Sequence, residues 1–186
     1  MQLNEAVWRE RLDSIRPIAV KSIWVSATPF CELCKNHPPD WLFTSCKPAR
    51  YNPKGVACVY LAQDGRTARA ELACNGENEH QPIVFYSVEV SLRRVLDLTD
   101  AKTLKTLKIE RVQLFEEWER QKSSATQLVG AAVASHPSIS AIRFPSAAAK
   151  EAGFKAHNIV IFRESIRSHD SVKVVGPAKK PLQRWP

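Results

Sequence analysis

The chain has no run approaching the roughly 18 consecutive apolar residues that cross a bilayer. Its start, MQLNEAVWRERLDSIR, is charged rather than a basic end leading into an apolar stretch. Neither a membrane span nor a secretory leader is expected, and a cytoplasmic location is. Glycine is sparse, and Gly55, Gly65 and Gly76 stand singly, so the sequence carries neither a Walker-type phosphate loop nor a Rossmann dinucleotide fingerprint. No internal repeat is visible. The cysteine count of 5 is odd, which argues against a disulfide framework and suits a reducing compartment. His80, His136, His157 and His169 lack metal-ligand spacing, and surface or core positions account for them. Aromatic residues are not interleaved with Lys and Arg in any one stretch, so a base-stacking surface is not expected.

Acidic residues are outnumbered, 19 against 27 basic, and the net charge of +8 favours partners that carry phosphate or carboxylate. With 186 residues and 44% hydrophobic content, the chain can bury one core and is too short for two ordinary domains. Leu3, Val7, Trp8, Leu12 and Ile15 recur at helical intervals and predict an N-terminal amphipathic helix within residues 1–21. The main domain spans 22–165. Residues 166–186 read as an edge strand (SVKVV) followed by a basic, Pro-containing, solvated tail.

Strands are predicted at Ser22–Ser26, Val56–Ala62 and Pro82–Leu92, in ISAIRF and at Asn158–Phe162. VACVYLA is apolar at every position, as a strand buried on both faces would be. Helices are predicted in RTARAELAC, around Lys102–Lys122, over Ser124–Ser135 and in the Ala-rich piece closed by Gly153. Strands and helices mix without strict alternation, which gives an α+β fold with a single domain.

CELCKNHPPDWLFTSC places Cys31, Cys34, His37 and Cys46 at spacings compatible with tetrahedral zinc. A lone C-x-x-C pair is also what ordinary reduced loop cysteines, or a redox switch, would show. No metal is expected, and structural zinc there is the minority reading. Cys58 and Cys74 read as core.

The stretch ARYNPKGVACVYLAQDGRTARAE holds the candidate chemistry. Arg50 leaves a Pro/Gly turn, Tyr60 shares a strand face with Cys58 and Ala62, and Glu71 shares a helix face with Ala68, Leu72 and Asn75. A carboxylate among small and apolar neighbours must be paired, be hydrogen-bonded or carry a raised pKa. The simpler account is a structural Arg50–Glu71 ion pair with Tyr60 in the core.

This stretch resembles the RES-domain signature, an Arg-aromatic-Asn-Pro-x-Gly turn, a strand containing Tyr-x-Ala and a helix reaching a Glu. A second block, AIRFPSAAAKEAGFKAHNIVIF, resembles the family's strand, Pro-Ser turn and closing strand, and places its serine at Ser146. Three positions depart from the pattern: Val25 stands where an Arg is common, Pro48-Ala49 replace two glycines, and Ala148 replaces an Arg after Pro-Ser.

The resemblance implies an ADP-ribosyltransferase-like fold, with mixed β-sheets around an NAD cleft and flanking helices. It also implies a toxin that cleaves the nicotinamide–ribose bond of NAD+, as a phosphorylase using inorganic phosphate or as a glycohydrolase. A cognate helix-turn-helix antitoxin or other inhibitor protein would neutralise it, and nucleic acid would enter only through a partner. In that scheme Glu71 stabilises the oxocarbenium-like centre and binds a ribose hydroxyl, and Arg50 holds phosphate. Tyr60 packs on nicotinamide and orients it by its hydroxyl, Ser146 donates a hydrogen bond, Tyr51 joins the cofactor-binding set, and Tyr51 with Asn52 shapes the cleft or simply the turn. Ser146 has an independent explanation as a helix N-cap. The alternatives are a protein ADP-ribosyltransferase with the same residues, and a catalytically inactive RES-like binding module.

Overall fold

A strand with apolar side chains at consecutive positions needs cover on both faces. CVYLA and NIVIF meet that condition in the structure, a computed structural model that describes residues 5–29, 43, 48–74, 82–118, 124–175 and 181–185. The principal elements are α1 (Glu5–Asp13), β1 (Ile18–Pro29), β2 (Cys58–Ala62), α2 (Gly65–Cys74), β3 (Ile83–Asp97) and α3 (Ala101–Leu107). A 3-10 turn (Arg111–Leu114) follows, then α4 (Ala125–Ala134), β4 (Ala141–Pro145), α5 (Ala147–Glu151), β5 (His157–Phe162), β6 (Ser171–Val175) and β7 (Pro181–Trp185).

The strands form one mixed sheet in the order β1-β2-β5-β4-β3-β6-β7. Because β1 also pairs antiparallel with β3 along nearly its whole length, from Ile18↔Val95 to Pro29↔Ile83, the first five strands in that order close into a ring. Only the β3–β4 step is parallel. β3 shares its other edge between β4, at Val95–Asp97, and β6, at Ser87–Ser91.

Alternation along each strand divides the core in two. Val20, Trp24, Val59, Leu61, Val90, Ala141, Ile159 and Ile161 form one cluster, to which all five ring strands contribute. Cys58, Leu96, Ile142, Phe144, Val160 and Phe162 face the other way and meet Trp8 and Leu12 of α1, Leu104 of α3 and Val129 of α4. Each fully buried Leu, Val or Phe contributes about 1.5–3 kcal/mol relative to exposure.

Short polar side chains start the helices. Asp64 Oδ1 accepts from the Thr67 amide (2.8 Å), Asp100 from the Thr103 amide (2.8 Å), Ser124 from the Gln127 amide (3.2 Å) and Ser146 from the Ala149 amide (2.9 Å). Against the predicted helix over 102–122, α3 stops at Leu107. Lys108 there takes the left-handed conformation (φ 55), and its amide bonds back to the Leu104 and Lys105 carbonyls. β1 is longer than the predicted Ser22–Ser26, because β3 gives it an antiparallel partner throughout. The expected solvated tail ends instead in β7, paired with β6.

The turn carrying Arg50 is clamped from two sides. Ala49 and Asn52 exchange backbone hydrogen bonds (3.0 and 3.2 Å), and Gln127 of α4 donates its Nε2 to the carbonyls of Ala49 and Asn52. One turn further along α4, Gly130 lies directly under Tyr51, where a Cβ would stand 1.8 Å from the Tyr51 carbonyl oxygen. Gly130→Ala must displace either the helix or the turn, and is expected to cost about 3 kcal/mol, lowering the melting temperature by roughly 10 °C. Gly65→Ala, whose Cβ would sit 3.9 Å from the Phe85 ring, leaves the melting temperature unchanged or slightly higher in the same calorimetric comparison.

Where β3 meets β4, Arg143 donates to both oxygens of Asp97 (Nε to Oδ1 3.0 Å, Nη2 to Oδ2 2.5 Å). Burial alone would raise the Asp97 carboxyl, but the Arg143 and Thr99 hydrogen bonds hold it below its ordinary value. Its contribution to stability is therefore present above the unfolded carboxylate pKa, near 4, and is lost as pH falls through the lower folded value. Urea midpoints measured from pH 5 down to pH 2 should fall more steeply for the wild type than for Asp97→Asn.

Candidate active site

Four strands contribute one residue each to a single register row on the helix-facing side of the ring. Val25 pairs with Ala62, Ala62 with Asn158 and Asn158 with Phe144. This row floors a cleft of about 580 Å³, within the usual range for small-molecule sites. Ala68, Glu71 and Leu72, at i, i+3 and i+4 of α2, form one wall, and the other carries Arg50, Glu117 and Trp118.

Glu71 is held from below. Ser146 Oγ donates to its Oε1 at 2.6 Å and Asn158 Nδ2 donates to the same oxygen at 2.5 Å. The Ser146 oxygen meanwhile accepts from the Ala149 amide, so one hydroxyl caps α5 with a lone pair and aims its proton at the carboxylate. Among the described residues Glu71 Oε2 has no hydrogen-bond partner.

Arg50 does not pair with Glu71, contrary to the simpler account from sequence. Its Nη1 donates to the carbonyls of Leu114 (3.2 Å) and Glu116 (2.8 Å), tying the turn to the segment that leads to Glu117 and Trp118. Those two bonds use both Nη1 hydrogens. Among the described residues the Nε–Nη2 edge is left for a ligand, and that edge matches an oxyanion in bidentate fashion.

Tyr60 lines the cleft with its ring, but its hydroxyl is committed elsewhere. It accepts from the Tyr51 amide (2.9 Å) and donates to Asn52 Oδ1 (2.9 Å), fixing the turn rather than pointing at a ligand. Burial pushes the Tyr60 phenol well above its ordinary pKa, with the neighbouring Cys58 adding to the shift, so it stays neutral. Tyr51, expected at the cofactor, is fully buried in the core with its ring 4.3 Å from that of Phe144. Asn52 is equally buried and serves the turn.

Asn158 is a site residue that sequence reasoning missed, and the available signal was a lone amide opening an apolar strand. Cys74, read as core, is exposed at the cleft rim, where its Sγ lies 3.4 Å from Glu151 Oε2 and burial raises the thiol pKa. Cys31, Cys34, His37 and Cys46 lie outside the described residues. Among the described residues no group of three His, Cys, Asp or Glu side chains could hold a metal ion.

The cleft's described lining has one basic residue, Arg50, and two acidic ones, Glu71 and Glu117. Val25, in place of an Arg, sits in the floor itself. A carboxylate in a cleft lined by Tyr60 and Phe144, with one guanidinium edge open, suits cleavage at a cationic or oxocarbenium-like centre in a phosphate-bearing substrate.

Tyr60→Phe keeps the ring and removes both bonds to the turn. It is expected to cost about 1–3 kcal/mol, read as a lower denaturant midpoint together with faster hydrogen exchange at the Tyr51 amide.

A family model described as the RES domain matches residues 32–184. Among solved structures, a chain of the crystal structure of the M. tuberculosis MbcT–MbcA toxin–antitoxin complex superposes with a TM-score of 0.66 at 14% identity, covering 91% of this chain and 90% of that one. At that identity the likeness is one of fold. A search of curated proteins finds none that matches.

Proposed function

The chain belongs to the RES-domain family, and from that premise we propose that it is an NAD+-consuming enzyme that opens the nicotinamide–ribose bond. The observation that carries this reading is the Glu71 carboxylate, held by Ser146 and Asn158 in the same cleft as the open edge of Arg50. As the bond breaks, its electron pair passes to the nicotinamide nitrogen, which neutralises the pyridinium, and positive charge develops at C1′. Glu71 stabilises that charge at short range, in a site where low local dielectric strengthens the attraction. The Nε–Nη2 edge of Arg50 grips the pyrophosphate, and the rings of Tyr60 and Phe144 give the leaving nicotinamide an aromatic surface. An acceptor oxygen, from phosphate or water, then bonds to C1′.

In this proposal the fold is ADP-ribosyltransferase-like. The chain takes the toxin's part in a toxin–antitoxin pair in the cytoplasm, with a protein antitoxin of the helix-turn-helix kind as its inhibitor. The fold shared with a chain of a toxin–antitoxin complex supports that role.

The test follows NAD+ and its products chromatographically with purified wild type and Glu71→Gln, with and without phosphate. Wild type should consume NAD+, and Glu71→Gln should do so about 100-fold more slowly or worse. ADP-ribose 1″-phosphate formed only in phosphate identifies a phosphorylase, and ADP-ribose without it a glycohydrolase. Label retained on protein would move the chain to the protein-modifying class. A folded wild type that leaves NAD+ intact overturns the proposal.

A further inference from the structure

Only half of the Asn158 amide is used by the fold. Its Nδ2 donates to Glu71 Oε1, and since an ionised carboxylate can only accept, this contact fixes which way the amide points. The Oδ1 left over is buried without a hydrogen-bond partner, although the residue lines the cleft and is 5% exposed. Register explains why the fold cannot satisfy it. Its neighbours across the sheet are Ala62 and Phe144, and Val25 continues the row. None of these side chains offers a donor.

Glu71 repeats the pattern, with Oε1 taking both protein donors and Oε2 taking none among the described residues. Two acceptors without a protein donor among the described residues therefore stand on groups that are hydrogen-bonded to each other, one charged and one neutral, and both residues line the cleft. A ligand complements such a pair when it presents two neighbouring donors, as the vicinal hydroxyls of a sugar do.

We infer that Asn158 is a substrate-binding residue whose Oδ1 accepts from a sugar hydroxyl, so that Glu71 and Asn158 together take a vicinal diol. This rests on Glu71 acting at the nicotinamide ribose. A carboxylate beside C1′ is nearest the 2′-hydroxyl, which leaves the 3′-hydroxyl for Asn158. An amide suits that position because it adds an acceptor without adding negative charge beside Glu71, where a second carboxylate would raise the pKa of one of the two.

The experiment compares kcat/KM for NAD+ with that for an analogue lacking the 3′-hydroxyl of the nicotinamide ribose, in wild type and Asn158→Ala, with melting curves for both proteins. Wild type should disfavour the analogue by at least about tenfold, whereas Asn158→Ala should handle the two substrates alike. A wild type that uses both equally overturns the assignment whether or not the variant folds. A folded Asn158→Ala that keeps the full discrimination overturns it too. If Asn158→Ala instead loses discrimination against the nicotinic acid dinucleotide, which lacks the carboxamide N–H groups, Oδ1 serves the leaving group and the sugar assignment fails. A wild type inactive on NAD+ overturns the functional proposal and this inference with it, whereas the other outcomes leave the functional proposal standing.

Discussion

The phenol hydroxyl of Tyr60 ties the molecule's turn chemistry to its sheet. It joins a strand buried on both faces to the backbone of the turn that carries Arg50, through one backbone amide and one side-chain amide oxygen. Such a bond is strong because it is shielded from water, and costly to lose for the same reason. The turn's remaining support, from Gln127 and from the close approach of Gly130, acts on the same few carbonyls. Arg50 therefore projects from a backbone fixed on three sides, and its own guanidinium fixes the segment beyond Leu114. Pre-ordering of this kind reduces the entropy that a ligand would otherwise have to overcome.

Ring closure matters at the cleft because it sets adjacent strands in a fixed register. The floor is one residue wide on each strand, and three of its four members are apolar. That arrangement makes Asn158 an outlier with a physical consequence: a desolvated amide whose nitrogen is satisfied within the protein and whose oxygen is not. Among the described residues the cleft carries two acidic groups against one basic, in a chain whose net charge is +8.

Much of this was legible in the sequence where local pattern and environment coincide. CVYLA, the strand within VACVYLA, is buried on both faces as its apolar run predicts, and the 3.6-residue period of α2 correctly put Glu71 on a face with Ala68 and Leu72. The α+β class followed from the mixture of elements. What escaped depended on contacts between distant segments. The Arg50–Glu71 pair was inferred from proximity in sequence, yet each group found its partners more than 60 positions away. Tyr51 entered the cofactor-binding set through the family motif, but adjacent residues of a turn point in different directions and its ring belongs to the core. Asn158 carried one local signal, a lone amide opening an apolar strand, but its place in the cleft depends on register, which sequence does not supply. Ser146 shows that two explanations of one residue need not compete, since its oxygen accepts the capping bond while its hydroxyl donates to the carboxylate.

The ring also orders events during synthesis. Ile18 pairs with Val95, whereas Cys58 pairs with Phe162, so β2 has almost no partner until the last part of the main domain exists. The donors to Glu71, at Ser146 and Asn158, arrive with that same part. A nascent chain that has already made Arg50, Tyr60 and Glu71 still lacks the groups that hold the carboxylate in place, and closing such distant pairings is slow. The arrangement of the cleft is thus a property of the finished chain, and a protein truncated before β5 would carry the signature residues without the geometry that makes them a site.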